Sequence, residues 1–168
     1  MRFKQVRIAN WRNFRQVDIV LERRAFLVGP NASGKSNLLD ALRFLRDVAD
    51  PRGGFQRAMS ERHGVSQIRS LHARQHSNVV IDVAIELDDL DWRYLLEFNQ
   101  DNTRRPVVRN EGAWRNGDRL LSRADESDLS DPQRFTQTHL EQVNANRGFR
   151  PIAEFLAQVR YPCISCLS

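Results

Sequence analysis

Cysteine, lysine and long apolar runs are scarce or absent in this 168-residue chain. The two cysteines, Cys163 and Cys166, fall within the last six residues, so no disulfide framework is indicated. No apolar stretch is long enough to span a bilayer, and the first residues lack the pattern of a signal peptide. We therefore expect a cytoplasmic protein with no membrane segment and, by its length, one domain.

Positive charge is concentrated in the first half of the chain. Of the 26 basic residues 24 are arginine, and residues 1–80 carry 15 Lys and Arg against 6 Asp and Glu, whereas residues 81–168 carry 11 against 15. A basic half can attract nucleic acid or the phosphates of a nucleotide. Five regularly spaced arginines, together with Phe55, are candidates for DNA contact, and a solvated surface is the alternative. They are Arg52, Arg57, Arg62, Arg69 and Arg74.

The most informative stretch of the sequence is residues 29–36, which read GPNASGKS. They match G-x-x-x-x-G-K-[ST], the phosphate-binding P-loop. The apolar residues Phe26–Val28 before them predict a buried strand, and an apolar stripe after Lys35 predicts an amphipathic helix. A strand before and a helix after are the context in which this motif binds phosphate.

The residue types of the motif fit phosphate chemistry. Gly29 and Gly34 permit backbone angles that a Cβ would forbid, and Pro30 has no N–H, so residues 31–36 must supply the amides that surround the anion. Lys35 can reach the β- and γ-phosphates of ATP, and the Ser36 hydroxyl can take one coordination position on Mg²⁺. We therefore expect ATP and Mg²⁺ as cofactors, the alternative being a glycine-rich turn that binds nothing.

The rest of the chain predicts an α/β fold in which a mixed sheet carries an antiparallel insert. Strands are predicted over 2–9, 15–21, 78–87, 92–98, 106–109 and 119–122, with a turn at 10–14 and a hairpin at Asn116-Gly117. The antiparallel insert spans 78–123, a mobile excursion 55–77 and a linker 124–132. Helices are predicted over 134–143 and 149–160.

The N-terminal strands, the Asn13-Phe14-Arg15 turn and the run GPNASGKSNLLDAL resemble the start of a known family. This family is the RecF/SMC/OLD class of ABC-type ATPases, particularly its small bacterial AAA-domain predicted ATPases, and the resemblance covers about residues 1–161. It implies ATP and Mg²⁺ at the P-loop, pairing of two ATPase heads around nucleotide in a homodimer, and a role in DNA repair, chromosome maintenance or phage defence.

The resemblance also implies roles for individual residues. Those that carry over directly are Gly29, Gly34, Lys35 and Ser36; those that match as loop backbone or as neighbours of the site are Asn31, Ala32, Ser33 and Asn37. The turn residues Asn13 and Arg15 match positions near the nucleotide.

Other parts of the family pattern are missing from the sequence. No apolar strand ends in Asp-Glu, the pair that would supply a Walker B metal ligand and catalytic base. Asp88-Asp89 does follow a strand, but it comes too early in family order and is better explained as a solvated strand end. A Q-loop glutamine is not assigned among Gln67, Gln137 and Gln142. The catalytic residues are therefore unknown, and we expect an incomplete head domain, the P-loop half of a larger ATPase, in which hydrolysis needs elements from elsewhere. A small-molecule P-loop kinase and a non-catalytic regulatory fragment are the alternatives.

Three further features have weaker interpretations. Residues 162–168 depart from the apolar stretch expected in relatives, and we hypothesise a frameshift near Pro162. Cys163 with Cys166, and His72 with His76, have metal-ligand spacing but no further ligands, so a solvated surface is favoured for both. Trp11 and Phe14 could stack on adenine or pack in the core.

Overall fold

The structure, a computed structural model, describes residues 1–30, 33–70 and 78–160. Its strands are β1 (Arg2–Trp11), β2 (Phe14–Val20), β3 (Val79–Leu87), β4 (Leu90–Gln100), β5 (Pro106–Arg115) and β6 (Asp118–Arg123). Its helices are α1 (Lys35–Ala49), α2 (Phe55–Ser60), α3 (Val65–Ile68), α4 (Glu126–Ser130) and α5 (Arg150–Gln158), with a 3₁₀ helix at Pro132–Thr136.

The six strands form one sheet in the order β2-β1-β3-β4-β5-β6, and every ladder in it is antiparallel. Two hairpins close with two-residue turns whose residues all have positive φ, Asp88-Asp89 and Asn116-Gly117. This is the backbone twist that right-handed strands favour in short hairpins. The Asn116-Gly117 hairpin is therefore confirmed, and Asp88-Asp89 is a turn between two strands.

One face of the sheet packs against α1, α2 and α5 to form the core. The ring of Phe44, on α1, lies at its centre, with the rings of Trp11 and Phe98 each 5.4 Å away and that of Phe55 6.3 Å away. Aromatic pairs at these separations contribute beyond the apolar area that they bury. This packing fixes the P-loop helix, α1, onto the strands.

The opposite face of the sheet is polar, because side chains alternate between the faces of a strand. Asp82 accepts two hydrogen bonds from Arg93, at 2.9 and 2.8 Å, and lies 3.6 Å from Arg7. Cross-strand pairs of opposite charge of this kind stabilise a sheet modestly.

The α/β class, the antiparallel block, α1 and the C-terminal helix α5 are confirmed, but the strand predicted over Phe26–Val28 is wrong. These residues are in no strand, and Phe26 and Val28 are 86% and 90% exposed. A strand needs a neighbour to pair its backbone groups, and no described strand pairs with this segment. The predicted mixed sheet is therefore wholly antiparallel over the residues that the structure describes.

The segment expected to be a mobile excursion differs from that expectation over residues 55–70. Phe55, Met59, Val65 and Ile68 of α2 and α3 are fully buried, because their spacing puts apolar side chains on the inward face of each short helix. Residues 71–77 lie outside the described part.

The helix predicted over residues 134–143 does not form. The 3₁₀ helix ends at Thr136, and Thr138 and Glu141 then exchange the reciprocal hydrogen bonds of a capping box, but turns rather than a helix follow them. The predicted linker 124–132 contains α4, which begins with a capping box between Asp125 and Asp128.

Candidate functional site

The N-terminus of α1 is shaped by Gly34, which has a left-handed φ of 96°. The first intrahelical hydrogen bond runs from the Leu38 N–H to the Gly34 carbonyl, at 2.9 Å. The N–H groups of residues 35–37 therefore precede the helical ladder. No acidic residue lies in the first turn of α1, so the positive end of the helix dipole is not offset there and suits an anion.

The Lys35 ammonium lies over the loop that precedes its own helix. Its Nζ donates to the carbonyl oxygens of Gly29 at 2.5 Å and Pro30 at 2.7 Å, and it lies 3.2 Å from the Ser33 Oγ. One cation is thus held within hydrogen-bonding distance of both ends of the loop. The Ser36 side chain, one residue further on, is exposed.

The tip of the β1–β2 hairpin touches the same helix end. A Cβ placed on Gly34 would come within 2.6 Å of Phe14 Cε1, so only glycine fits there without movement. The Asn37 Nδ2 donates to the Asn13 Oδ1 at 2.7 Å. The Asn13-Phe14-Arg15 turn therefore lies beside the P-loop helix, although Arg15 itself points to an exposed position on β2.

Trp11 does not belong to this site. Its side chain is fully buried and its ring packs on Phe44, so the hypothesis that it stacks on adenine is wrong. Phe14 is partly buried, with its ring against Gly34. The aromatic in the turn that lies at the loop is thus Phe14.

The four arginines considered for DNA contact that the structure describes do not form one exposed patch. Arg62 has a side chain only 8% exposed and paired with Asp40 and Asp47, and Phe55 is in the core. Arg52 and Arg57, by contrast, have side chains 91% and 63% exposed.

Arg69 is half-buried after α3, whereas Gln67 is exposed on α3. Gln137 and Gln142 line a shallow depression with His139, between the 3₁₀ helix and α5.

Several predicted positions lie outside the described residues. These are Asn31 and Ala32 of the motif, the pair His72 and His76, Arg74, and the tail with Cys163 and Cys166. Within 1–30, 33–70 and 78–160, no three His, Cys, Asp or Glu side chains gather where they could hold a metal ion. No helix in that part of the chain has both the length and the apolar character needed to cross a membrane.

A buried ionic cluster far along the chain was not predicted. The Arg123 guanidinium, 1% exposed, donates to the Asp128 carboxylate at 2.8 and 3.0 Å and to Glu111 Oε2 at 3.1 Å. Glu111 also accepts from the Tyr94 hydroxyl at 2.8 Å and from two backbone N–H groups. Glu111 and Arg123 pair in register on adjacent strands, and the sequence alone does not reveal that register.

Burial and hydrogen bonding act in opposite directions on the two carboxyl groups of this cluster. Burial raises the pKa of Glu111. Burial also opposes ionisation of Asp128, but the hydrogen bonds from Arg123 and Arg134 outweigh it and lower the pKa of Asp128 to about 2. The three charged side chains are buried and compensate one another, so we interpret the cluster as structural.

Residues 24–161 match the family described as "AAA domain, putative AbiEii toxin, Type IV TA system". Among curated proteins, Endonuclease GajA of Bacillus cereus (strain VD045) is 39% identical over 67 residues, which cover 40% of this chain and 12% of that protein.

Two solved structures of the recombination mediator protein RecF are also similar. The RecF-ATP structure has a TM-score of 0.46 at 21% identity, over 71% of this chain and 28% of that one. The RecF-ATPrS structure has a TM-score of 0.40 at 22% identity, over 72% and 28%. This chain therefore spans about an eighth of the curated relative and under a third of the RecF chains.

The family match extends over more than half of the chain and includes the P-loop and α5. It confirms the AAA domain that the resemblance implied. The chain belongs to the family described as "AAA domain, putative AbiEii toxin, Type IV TA system".

Proposed function

We propose that this chain binds ATP with Mg²⁺ at the loop and first turn of α1, through residues 29–37. The observation that supports this best is the geometry around Gly34 and Lys35. A left-handed glycine starts the helix, the first-turn amides precede the helical ladder, and the only lysine in the motif already bridges both ends of the loop. These features suit a polyphosphate.

Each residue of the motif has a proposed task. Lys35 would exchange its loop carbonyls for β- and γ-phosphate oxygens, and Ser36, which is exposed, would offer its hydroxyl to Mg²⁺. Gly29 and Gly34 keep the loop compact. The remaining proposed contacts, through backbone amides or next to the metal ligand, are Asn31, Ala32, Ser33 and Asn37.

The donor groups of the site fit ATP and Mg²⁺ chemically. A bound Mg²⁺ would neutralise phosphate charge, and the loop would hold the phosphates in one orientation. The described residues include no cluster of carboxylates that could complete a metal site without phosphate oxygens. The metal would therefore be held jointly by Ser36 and the nucleotide, as Mg²⁺ commonly is.

We further propose that the nucleotide site serves a larger cytoplasmic ATPase that acts on DNA, in repair or in phage defence, and that pairs as a homodimer through its ATPase heads. Support comes from the family match and from the identity with an endonuclease over part of the chain. Hydrolysis would need residues that the sequence pattern does not supply.

The decisive experiment is Lys35→Ala measured by titration calorimetry with Mg-ATP. Hydrogen bonds to a charged group contribute about 1.5–3 kcal/mol, so we expect the dissociation constant to rise about 10- to 150-fold. The chain has one other lysine, Lys4, which pairs with Asp91 on the sheet at 2.7 Å. Lys4→Ala is therefore a matched control that should bind as the wild type does, and unchanged affinity in Lys35→Ala would refute the site.

The metal assignment has a separate test. Ser36→Ala should lower the gain in ATP affinity that Mg²⁺ gives while leaving metal-free binding near that of the wild type, because the hydroxyl contacts only the metal in this proposal. An unaltered Mg²⁺ dependence would remove Ser36 as the metal ligand.

DNA contact is proposed for the exposed arginines alone, since Arg62 is buried in ion pairs. Arg52→Ala combined with Arg57→Ala should weaken a gel shift with duplex DNA and flatten its dependence on salt, because these two side chains are 91% and 63% exposed. Arg62→Ala should be without effect on binding per folded molecule. A shift that survives the double substitution would reject this surface.

A further inference from the structure

The β1–β2 hairpin tip meets α1 through three consecutive residues. Phe14 lies against Gly34, Asn13 bonds to Asn37, and Arg12 pairs with Asp40, its Nε and Nη2 lying 2.9 and 2.8 Å from Asp40 Oδ2. The partners on the helix are three residues apart, and residues with this spacing lie on one face. The tip therefore runs along the first two turns of the P-loop helix, in the opposite direction.

The tip is also held from its other side. The Arg12 N–H donates to the Ile68 carbonyl, the Ser70 N–H donates to the Asn10 carbonyl at 3.0 Å, and Trp11 forms a β-bridge with Arg69. These backbone bonds fix the tip to the residues that follow α3. Because the tip is held in this way, a side chain that extends from it, such as Arg12, can hold α1 in place.

Asp40 has a second partner, which separates positioning from folding. The Arg62 Nε donates to Asp40 Oδ1 at 3.2 Å, and its Nη2 reaches Asp47 at 2.9 Å. Removal of Arg12 would therefore leave Asp40 paired rather than as an uncompensated charge, and the fold should tolerate it. What would be lost is the only ion pair among the three contacts between the hairpin tip and the helix.

We propose that Arg12, acting through Asp40, is a positioning residue for the phosphate-binding turn, and this inference rests on the proposed nucleotide site. The ion pair fixes α1 along its axis relative to the tip, so that the first-turn amides and the Lys35 and Ser36 side chains keep one orientation. Without it, the N-terminal turns of α1 would move more and bind nucleotide less well.

The first test needs no nucleotide. Hydrogen exchange of the first two turns of α1, from Leu38 onward, should be about two- to tenfold faster in Arg12→Ala than in the wild type. The matched control is Arg7→Ala, at a half-exposed arginine within β1 that pairs with Asp18 at 3.1 Å on the far face of the sheet. Exchange in α1 that is unchanged in Arg12→Ala, or equally faster in Arg7→Ala, would overturn the proposal.

The second test uses affinity for Mg-ATP. Arg12→Ala should weaken binding about two- to tenfold, Arg12→Lys should recover part of the loss, and the effect should vanish when Asp40→Asn is already present. Additive effects of the two substitutions would show that Arg12 does not act through Asp40. If Lys35→Ala weakens binding as expected while Arg12→Ala changes neither exchange nor affinity, this inference fails and the proposed function stands.

Discussion

The phosphate loop and the Glu111–Arg123–Asp128 cluster are the two charged centres of this molecule, and they are built in opposite ways. The loop is exposed, and its lysine is held by backbone oxygens of its own segment. The cluster is buried, and its arginine connects two carboxylates from different elements. Charge at the loop is available to a ligand, whereas charge in the cluster is consumed by the fold.

The comparison teaches how a substitution should divide between stability and binding. A buried charge that loses its partner must be desolvated without compensation, so its loss acts on folding. An exposed charge can return to water, so its loss acts mainly on what it binds. Substitutions of charged residues in the cluster should therefore destabilise the fold, and substitution of Lys35 in the loop should leave the protein folded but weaken its binding.

The largest effect is expected for Arg123→Met. This change leaves Glu111 and Asp128 buried without a cation, and breaking a buried pair in this way lowers the free energy of unfolding by about 3–5 kcal/mol. Urea unfolding at neutral pH would measure it. Arg119→Met, on the same strand but exposed over the Trp114 ring, should change stability by less than about 1 kcal/mol; equal losses would contradict the contrast.

The next largest effect is expected for Gly34→Ala, which should lower the free energy of unfolding by about 2–3 kcal/mol. The substitution places a Cβ at a φ of 96° and within 2.6 Å of the Phe14 ring. Gly117 has a similar φ of 90° with nothing within 4 Å, so Gly117→Ala isolates the backbone strain of about 1 kcal/mol. A further Phe14→Ala substitution should recover part of the Gly34→Ala loss; if it recovers none, the ring is not the obstacle.

The contribution of the Asp128 carboxylate to stability should depend on pH. Its pKa is about 2 in the folded protein against an ordinary 3.8, so its stabilisation is complete above about pH 4 and is lost as the pH falls toward 2. The wild type should exceed Asp128→Asn in unfolding free energy by about 2 kcal/mol more at pH 5 than at pH 2. Unfolding curves across that range would show it, and a constant difference would contradict the assignment.

The smallest effect is expected for Phe26→Ser. Because this side chain is 86% exposed, its replacement should alter the unfolding free energy of this chain by less than about 0.5 kcal/mol. Phe98→Ser, at a fully buried aromatic in the core, serves as the contrast and should cost several kcal/mol. A large loss for Phe26→Ser would mean that the apolar segment before the P-loop is buried after all.

The sequence was sufficient where a pattern is local. The GPNASGKS motif, the α1 stripe, the Asn116-Gly117 hairpin and the alternation of β3 each depend on residues close together in the chain, and local chemistry determined them.

Prediction failed where the outcome depends on distant partners. Phe26–Val28 has the composition of a strand but pairs with no described neighbour, and Glu111 becomes an inward-facing anion only because Arg123 arrives beside it from the next strand. The contacts of the hairpin tip with α1 likewise join residues more than twenty positions apart.

The hairpin tip has a consequence for how this part of the chain tolerates change in length. Consecutive residues of the tip contact residues of α1 that are three positions apart, so the alignment of the two segments is fixed at three points. Deletion of a single residue from the tip would disengage all three contacts together, because no neighbouring alignment restores any of them. The connection between Leu21 and Gly29 makes no such series of contacts with α1 among the described residues. Insertions should therefore be tolerated in that connection and not in the tip.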